Sequence, residues 1–369
     1  MLTQNNGIIQ LTVTQMTDLL SNAYSTLINN HTPLRSFPSV MLWGPPGVGK
    51  SQGIRQIAEK IRENTGKNVS VTDVRLLLFN PVDLRGIPTA NDDKTLAVWL
   101  RPKIFQMDDS ENTINILFLD EITAAPQSVQ AAAYQITLDR TIGEHKLPEN
   151  CIVIAAGNRI TDRSVAFNMP KALANRLCHI EIKSDASAWH DWAISAGVHP
   201  IVMGYLDYNS SVLNGFEPSE DNLAFPTPRT WEMVSSILRN VSNDISDVYP
   251  LIAGCIGARI AASLQTWYEI YQRVPDMKEV FSKGAKADPP PDRPELLYAT
   301  VAAMVDYVRN ERTLAELSNS VAYACKMPIE FRFRLFSDYY KIRHVRQTLR
   351  DDKTFSDWVA YHAQEGRLS

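Results

Sequence analysis

Apolar residues in the first half of the chain come in short unbroken runs, at positions 40–43, 69–78, 114–119, 151–156 and 179–182. Runs of this length, rich in Val, Ile and Leu, suit strands buried on both faces of a parallel sheet. Between several of them the period changes, and residues 52–64 and 127–138 space their apolar positions as helices do. Ahead of the first run, Met16, Leu19, Leu20, Ala23, Tyr24, Leu27 and Ile28 share one face of a helix predicted over 12–29. Thr12 and Gln15 have the spacing of a capping box at its start. The alternation predicts an α/β domain with an N-terminal helix over residues 1–184. Beyond residue 184 the strand pattern fades, and 188–196, 228–240, 249–273, 295–310 and 328–349 read as helices. The proline-rich stretch 288–294 reads as a stiff linker, which separates a helical domain over 185–283 from a helical extension over 284–369.

Composition narrows the picture modestly. The 369 residues are 44% hydrophobic and 21% charged, enough apolar material for large cores. A net charge of −4 provides no chain-wide basic field that would draw in nucleic acid. Cys151, Cys178, Cys255 and Cys325 lie far apart, without a Cys-x-x-Cys pair, so a zinc site or disulfide framework is not expected and reduced thiols in a cytoplasmic protein are. The first residues lack a basic and then apolar leader, so no signal peptide is expected. The most apolar stretch, 249–268, contains Arg259, Ser263 and Gln265 and is expected to be a buried helix rather than a membrane span. His179, His190 and His199 show no metal-ligand spacing, and Trp189, Trp192, Trp267 and Tyr268 sit at helical core positions. The basic stretch 341–350 reads as a solvated helix face before it reads as a nucleic-acid contact.

The chemistry is concentrated in two motifs. Gly44-Pro45-Pro46-Gly47-Val48-Gly49-Lys50-Ser51 fits Gly-x-x-x-x-Gly-Lys-Ser and lies between a predicted strand and a helix opening at Gln52. Glycines let backbone N–H groups turn toward phosphate oxygens, and the helix N-terminus adds partial positive charge. Lys50 can reach the β- and γ-phosphates, and the Ser51 hydroxyl can ligate Mg²⁺. Residues 115–121 form the second motif, a buried strand ending in Asp120-Glu121. Asp120 can hold Mg²⁺ directly or through water, and Glu121 can orient and deprotonate an attacking water. Taken alone, the acidic pair could equally cap the next helix.

Together with Leu119-Asp120-Glu121-Ile122, the phosphate loop resembles that of AAA+ ATPases. Val82-Asp83-Leu84-Arg85-Gly86 leads into a hairpin-like insert that ends at Pro102, and 138–148 reads as a second hairpin before the run 151–156. Two such inserts are similar to those of the MoxR-type branch, relatives of magnesium-chelatase ATPase subunits and MCM motors. The resemblance covers roughly residues 35–240. It implies a P-loop NTPase fold, a parallel sheet sandwiched by helices, with 185–283 as its helical lid and 284–369 as an extension. It assigns Asn158, in Ala155-Ala156-Gly157-Asn158-Arg159, the sensor-1 role of positioning the lytic water; read without it, Asn158 is a turn residue after glycine. It makes Arg176, in the stretch 170–177, the arginine finger that completes a neighbour's site, with Arg159 and Arg163 as rivals; read alone, Arg176 is a surface arginine or a salt-bridge partner. Arg229, in Thr227-Pro228-Arg229, corresponds to sensor 2. There the residues add a reason of their own, because Thr227 can cap a helix and Pro228 suits its first position. A cation in that first turn opposes the helix dipole and calls for an anion, either a γ-phosphate or a nearby carboxylate. The resemblance further implies ATP hydrolysis with Mg²⁺, a homo-oligomeric ring of six subunits, and remodelling of a protein client or a von Willebrand A domain partner. A nucleic-acid motor is the alternative, disfavoured by net charge. A nucleotide-gated scaffold without turnover would lack one of Glu121, Asn158 and Arg176, and all three are present.

Overall fold

The computed structural model describes residues 4–5, 7–159, 169, 171–216 and 222–364. Its strands are β1 (Gln4–Asn5), β2 (Ile8–Leu11), β3 (Val40–Trp43), β4 (Asn68–Arg75), β5 (Ile87–Ala90), β6 (Ala97–Leu100), β7 (Thr113–Asp120), β8 (Thr141–Ile142), β9 (His145–Lys146), β10 (Cys151–Gly157) and β11 (Cys178–Ile182). Seven form one sheet in the order β1-β2-β11-β3-β10-β7-β4, with every neighbouring pair parallel except β1 and β2. The remaining four make the two hairpins, β5 with β6 and β8 with β9. The run 69–78 departs from its expected form. Its strand lies at the sheet edge with only Val74 buried, and residues Leu76–Leu78 turn into a 3-10 helix. An edge position gives a strand one paired side only, so its apolar residues need not be covered on both faces.

In this first unit the helices are α1 (Val13–Asn29), α2 (Lys50–Thr65), α3 (Pro81–Arg85), α4 (Gln127–Asp139) and the short α5 (Lys171–Ala174). Thr12 caps α1 through its hydroxyl on the Gln15 N–H, and Gln15 returns its side chain to the Thr12 N–H. Alternation along the strands divides the core into two layers. Val40, Leu42, Ile116, Phe118 and Ile154 face α1 and α2, while Met41, Leu117, Leu119 and Val153 face α4.

The second unit begins at Asp185 and is helical throughout its described residues. It contains α6 (Ala186–Ala196), α7 (Pro200–Tyr208), α8 (Pro228–Asn240), α9 (Ile245–Ile256), α10 (Ala258–Tyr271), α11 (Met277–Lys283), α12 (Pro294–Tyr307), α13 (Leu314–Ala324), α14 (Ile329–Lys341), α15 (Arg343–Thr348) and α16 (Lys353–Gln364). The helix expected over 249–273 is two, divided at Gly257, which takes φ +83° and ψ 147°. The one expected over 328–349 is broken at Ile342, which is extended. Helices α7, α11, α13 and α16 have no counterpart in the sequence reading; α7 is apolar around most of its circumference and α11 spans only seven residues, whereas α13 and α16 are amphipathic helices that the reading misses. Trp189, Trp231 and Trp267 fill one core, Phe281, Tyr323 and Phe336 a second, and α12 supplies residues to both. No helix among the described residues is long and apolar enough to cross a membrane.

Candidate active site

Strand order decides what meets at the carboxyl edge of the sheet. The phosphate loop leaves β3, the acidic pair ends β7, and β10 lies between them. Asn158, the residue after β10, is therefore set between loop and acids. Its Oδ1 accepts from Lys50 Nζ at 2.9 Å, and Lys50 also donates to Gly44 O at 2.6 Å and Pro45 O at 3.1 Å. Ser51 Oγ donates to Asp120 Oδ2 at 3.1 Å. Lys50, Ser51, Asp120 and Asn158 are thus joined through two contacts that bridge positions 69 and 108 residues apart.

The loop is shaped for an anion. Gly49 stands at φ +104°, a conformation that side-chain-bearing residues rarely adopt, and opens α2 without a side-chain cap, so the first turn of α2 presents its N–H groups to the loop. Val48 is buried in the core and anchors the loop, Pro45, Pro46 and Gly47 form its tip, and Gln52 is half-buried on the first turn. A hydroxyl and a carboxylate 3.1 Å apart beside such a cradle are hard oxygen donors of the kind Mg²⁺ takes, with phosphate and water completing its shell.

Glu121 has a left-handed backbone, φ +58°. A non-glycine residue there costs on the order of 1–3 kcal/mol and persists only where its surroundings over-determine it. Here they do. The Glu121 N–H donates to Asp120 Oδ1 at 2.9 Å, the Ile122 N–H to Ala156 O at 2.9 Å, and the Ala124 N–H to Glu121 O at 3.0 Å. Thr123, which sequence reasoning passed over, completes the clamp. Its hydroxyl donates to Asn158 O at 3.1 Å and accepts from the Asn158 N–H at 3.0 Å. A lone hydroxyl two residues after an acidic pair carries no signal that would single it out.

The arginines separate by location. Arg159 Nη1 pairs with Glu181 Oε1 of the same chain at 2.9 Å. Arg163 lies outside the described residues. Arg176 is exposed, and no hydrogen bond or ion pair holds it among the described residues. It precedes β11, whose Cys178 is level with Val40 at the amino end of β3, whereas the phosphate loop leaves the carboxyl end. By register Cys178, two residues after Arg176, is level with a position four residues before Gly44, roughly 13 Å along the strand direction. It lines a cavity of about 540 Å³ with Arg35, Arg140, Lys146 and Glu149. Arg229 belongs to the second unit and is exposed on the first turn of α8, where Thr227 makes the cap and Pro228 takes the first position. No carboxylate pairs with it among the described residues.

Residues 40–183 match the family model for the ATPase family associated with various cellular activities (AAA). No curated protein matches the sequence. Among solved structures, the chain is similar to a Cytophaga hutchinsonii protein provisionally assigned as an ATPase, at 12% identity and TM-score 0.31, over 86% of this chain and 78% of that one. A mutant of Thermotoga maritima RuvB matches at 15% identity and TM-score 0.34, over 81% and 87%. PCH-2 of C. elegans matches at 12% identity and TM-score 0.32, over 82% and 70%.

Proposed function

We propose, from the premise that residues 40–183 form an AAA-family ATPase domain of P-loop α/β fold, that the chain is a MoxR-type ring motor that hydrolyses ATP to remodel a protein partner. The observation that carries the reading is the junction of Lys50, Asn158, Ser51 and Asp120 at one edge of the sheet, with Arg176 at the other. Lys50 binds the β- and γ-phosphates. Ser51 and Asp120 would hold Mg²⁺, which would supply charge neutralisation at the phosphate oxygens. Glu121 takes the proton of the attacking water, and Asn158 orients that water. Arg176, too far from its own loop, serves the site of the next subunit and neutralises charge in the transition state. The sensor-2 role of Arg229 is part of the same proposal and rests on its motif Thr227-Pro228-Arg229.

The partner is read as protein because the β5–β6 insert exposes apolar side chains, including Ile87 at 62%, Leu96 at 66% and Leu100 at 58%, where a nucleic-acid hairpin would carry mainly cations. A von Willebrand A domain partner is part of this proposal. The test is a pull-down with Glu121→Gln, in which the amide keeps the shape of the side chain but cannot accept a proton. The variant is expected to bind ATP, turn over about 10²–10⁴ times more slowly, and retain a protein partner that Lys50→Ala fails to retain. Wild-type protein without ATP turnover would defeat the enzymatic reading. Recovery of nucleic acid instead, with salt-sensitive stimulation of turnover, would replace the protein client by a nucleic-acid one.

A further inference from the structure

Glu181 is a carboxylate with 3% of its surface exposed, and its burial is compensated by two donors. Arg159 Nη1 reaches Oε1 at 2.9 Å and Gln10 Nε2 reaches the same oxygen at 2.8 Å. Each partner comes from a different strand or strand end. Gln10 is level with Glu181 across the β2–β11 pair, and Arg159 directly follows Asn158 beyond β10. The cluster therefore ties together the carboxyl ends of β2, β11 and β10. The Asn158 backbone is already clamped on one side by the Thr123 hydroxyl. The ion pair holds the following residue on the other side, so the Asn158 amide keeps its orientation toward Lys50.

We infer that Arg159 and Glu181 form a positioning pair that acts within one subunit: it fixes the end of β10 so that Asn158 faces Lys50 and the γ-phosphate, and it commits Arg159 to its own chain rather than to a neighbour's site. The inference rests on the ATPase reading above and adds to it a role for two residues that the reading does not use. A guanidinium bound to a buried carboxylate is not available to cross a subunit boundary, because removing it leaves that carboxylate buried with Gln10 as its remaining donor among the described residues. β11 also starts beside Arg176 and ends beside Glu181, so the same strand joins the Arg159 contact to the segment that presents the proposed finger.

The test combines three variants, Arg159→Ala, Arg159→Lys and Glu181→Gln, each assayed for turnover, for affinity toward a fluorescent ATP analogue and for melting temperature. Arg159→Ala and Glu181→Gln are expected to lower kcat by about tenfold or more while nucleotide affinity stays near that of the wild type, because Lys50 and the loop are untouched. Arg159→Lys is expected to retain more activity than Arg159→Ala, since it keeps the charge opposite Glu181. Mixed with Lys50→Ala subunits, Arg159→Ala is expected to show no recovery, whereas Arg176→Ala is expected to recover in the same mixture. Recovery of Arg159→Ala in that mixture would overturn the inference by making Arg159 a finger. So would an unchanged kcat in Glu181→Gln, or a fall in melting temperature with kcat intact, which would leave the pair merely structural. Absence of turnover in the wild type would instead strike the ATPase reading, so the two failures are distinguishable.

Discussion

At the scale of single residues, the candidate site stores backbone strain at the residue proposed to activate water. Glu121 occupies φ +58°, where glycine would be unstrained. Glu121→Gly relieves strain of about 1–3 kcal/mol against an unfolded-chain entropy cost of about 0.4–1 kcal/mol, so it is expected to raise stability while abolishing turnover, measured as melting temperature and steady-state ATP hydrolysis on the same sample. A drop in stability would mean that the Glu121 side chain contributes contacts that outweigh the strain. His190 makes a second residue-scale case, now in the helical unit. Burial lowers its pKa, but Asp338 at 3.0 Å from Nε2 and Asp207 at 2.9 Å from Nδ1 more than offset this and hold it at about 9. Arg334 also pairs with Asp207, and Lys341 lies 4.0 Å from Asp338. Because the folded pKa is raised above the ordinary value of 6.5, the stabilisation is fully present below about pH 6.5 and is lost as pH rises toward 9. Thermal melts from pH 6.5 to 9.5 are expected to show a decline that His190→Asn flattens. An equal slope in the variant would assign the decline to other groups.

Elements act here through what their ends place side by side. Thr123 bridges the turn after β7 to the end of β10, and Gly157 leaves it the room: a Cβ at Gly157 would come within 2.6 Å of Thr123 Oγ1 and 2.9 Å of Met41 Cε. Thr123→Val keeps the volume but deprives the Asn158 N–H and C=O of their partner. It is expected to cost about 1–3 kcal/mol and to lower turnover with little change in nucleotide affinity. If turnover in Thr123→Val equals that of the wild type, the clamp is not what orients Asn158. The second hairpin is positioned in the same manner. His145 Nε2 lies 2.7 Å from Trp99 O, which joins the β8–β9 hairpin to the β5–β6 insert. The segment between α4 and β10 thus contacts the insert while its two ends lead to the acidic turn and to Asn158.

For the whole molecule, the separation of Arg176 from Lys50 makes assembly the central question. If Arg176 acts on the next subunit, specific activity should rise with protein concentration and level off as rings form. Arg176→Ala is expected to bind ATP almost normally and to lose hydrolysis by on the order of 10³–10⁵. Lys50→Ala subunits keep Arg176 and can lend it to Arg176→Ala neighbours, whose phosphate loops are intact. A mixture of the two inactive variants should therefore regain activity. Activity independent of concentration, with no recovery in assemblies that sizing verifies as formed, would remove the finger role and most of the case for a ring.

What the sequence determined by itself is local. The capping box of Thr12 and Gln15, the phosphate loop between β3 and α2, the acidic end of β7 and the break in pattern after residue 184 are all legible, because each is set by neighbours within a few positions. The apolar runs also announced a parallel sheet, since strands buried on both faces cannot alternate with polar residues. Local pattern could not say that 69–75 would lie at the sheet edge, nor that Gly257 and Ile342 would each divide a helix. Tertiary structure alone decided the strand order, and with it the insertion of β10 between β3 and β7 that brings Asn158 to Lys50. It also decided that Arg159, one of three candidate fingers by sequence, would meet Glu181 twenty-two positions away, while Arg176 was left exposed at the opposite edge. The reason is physical: periodicity records which face of an element is buried, but which element covers that face depends on pairings between segments far apart in the chain, and no residue's immediate neighbours encode them.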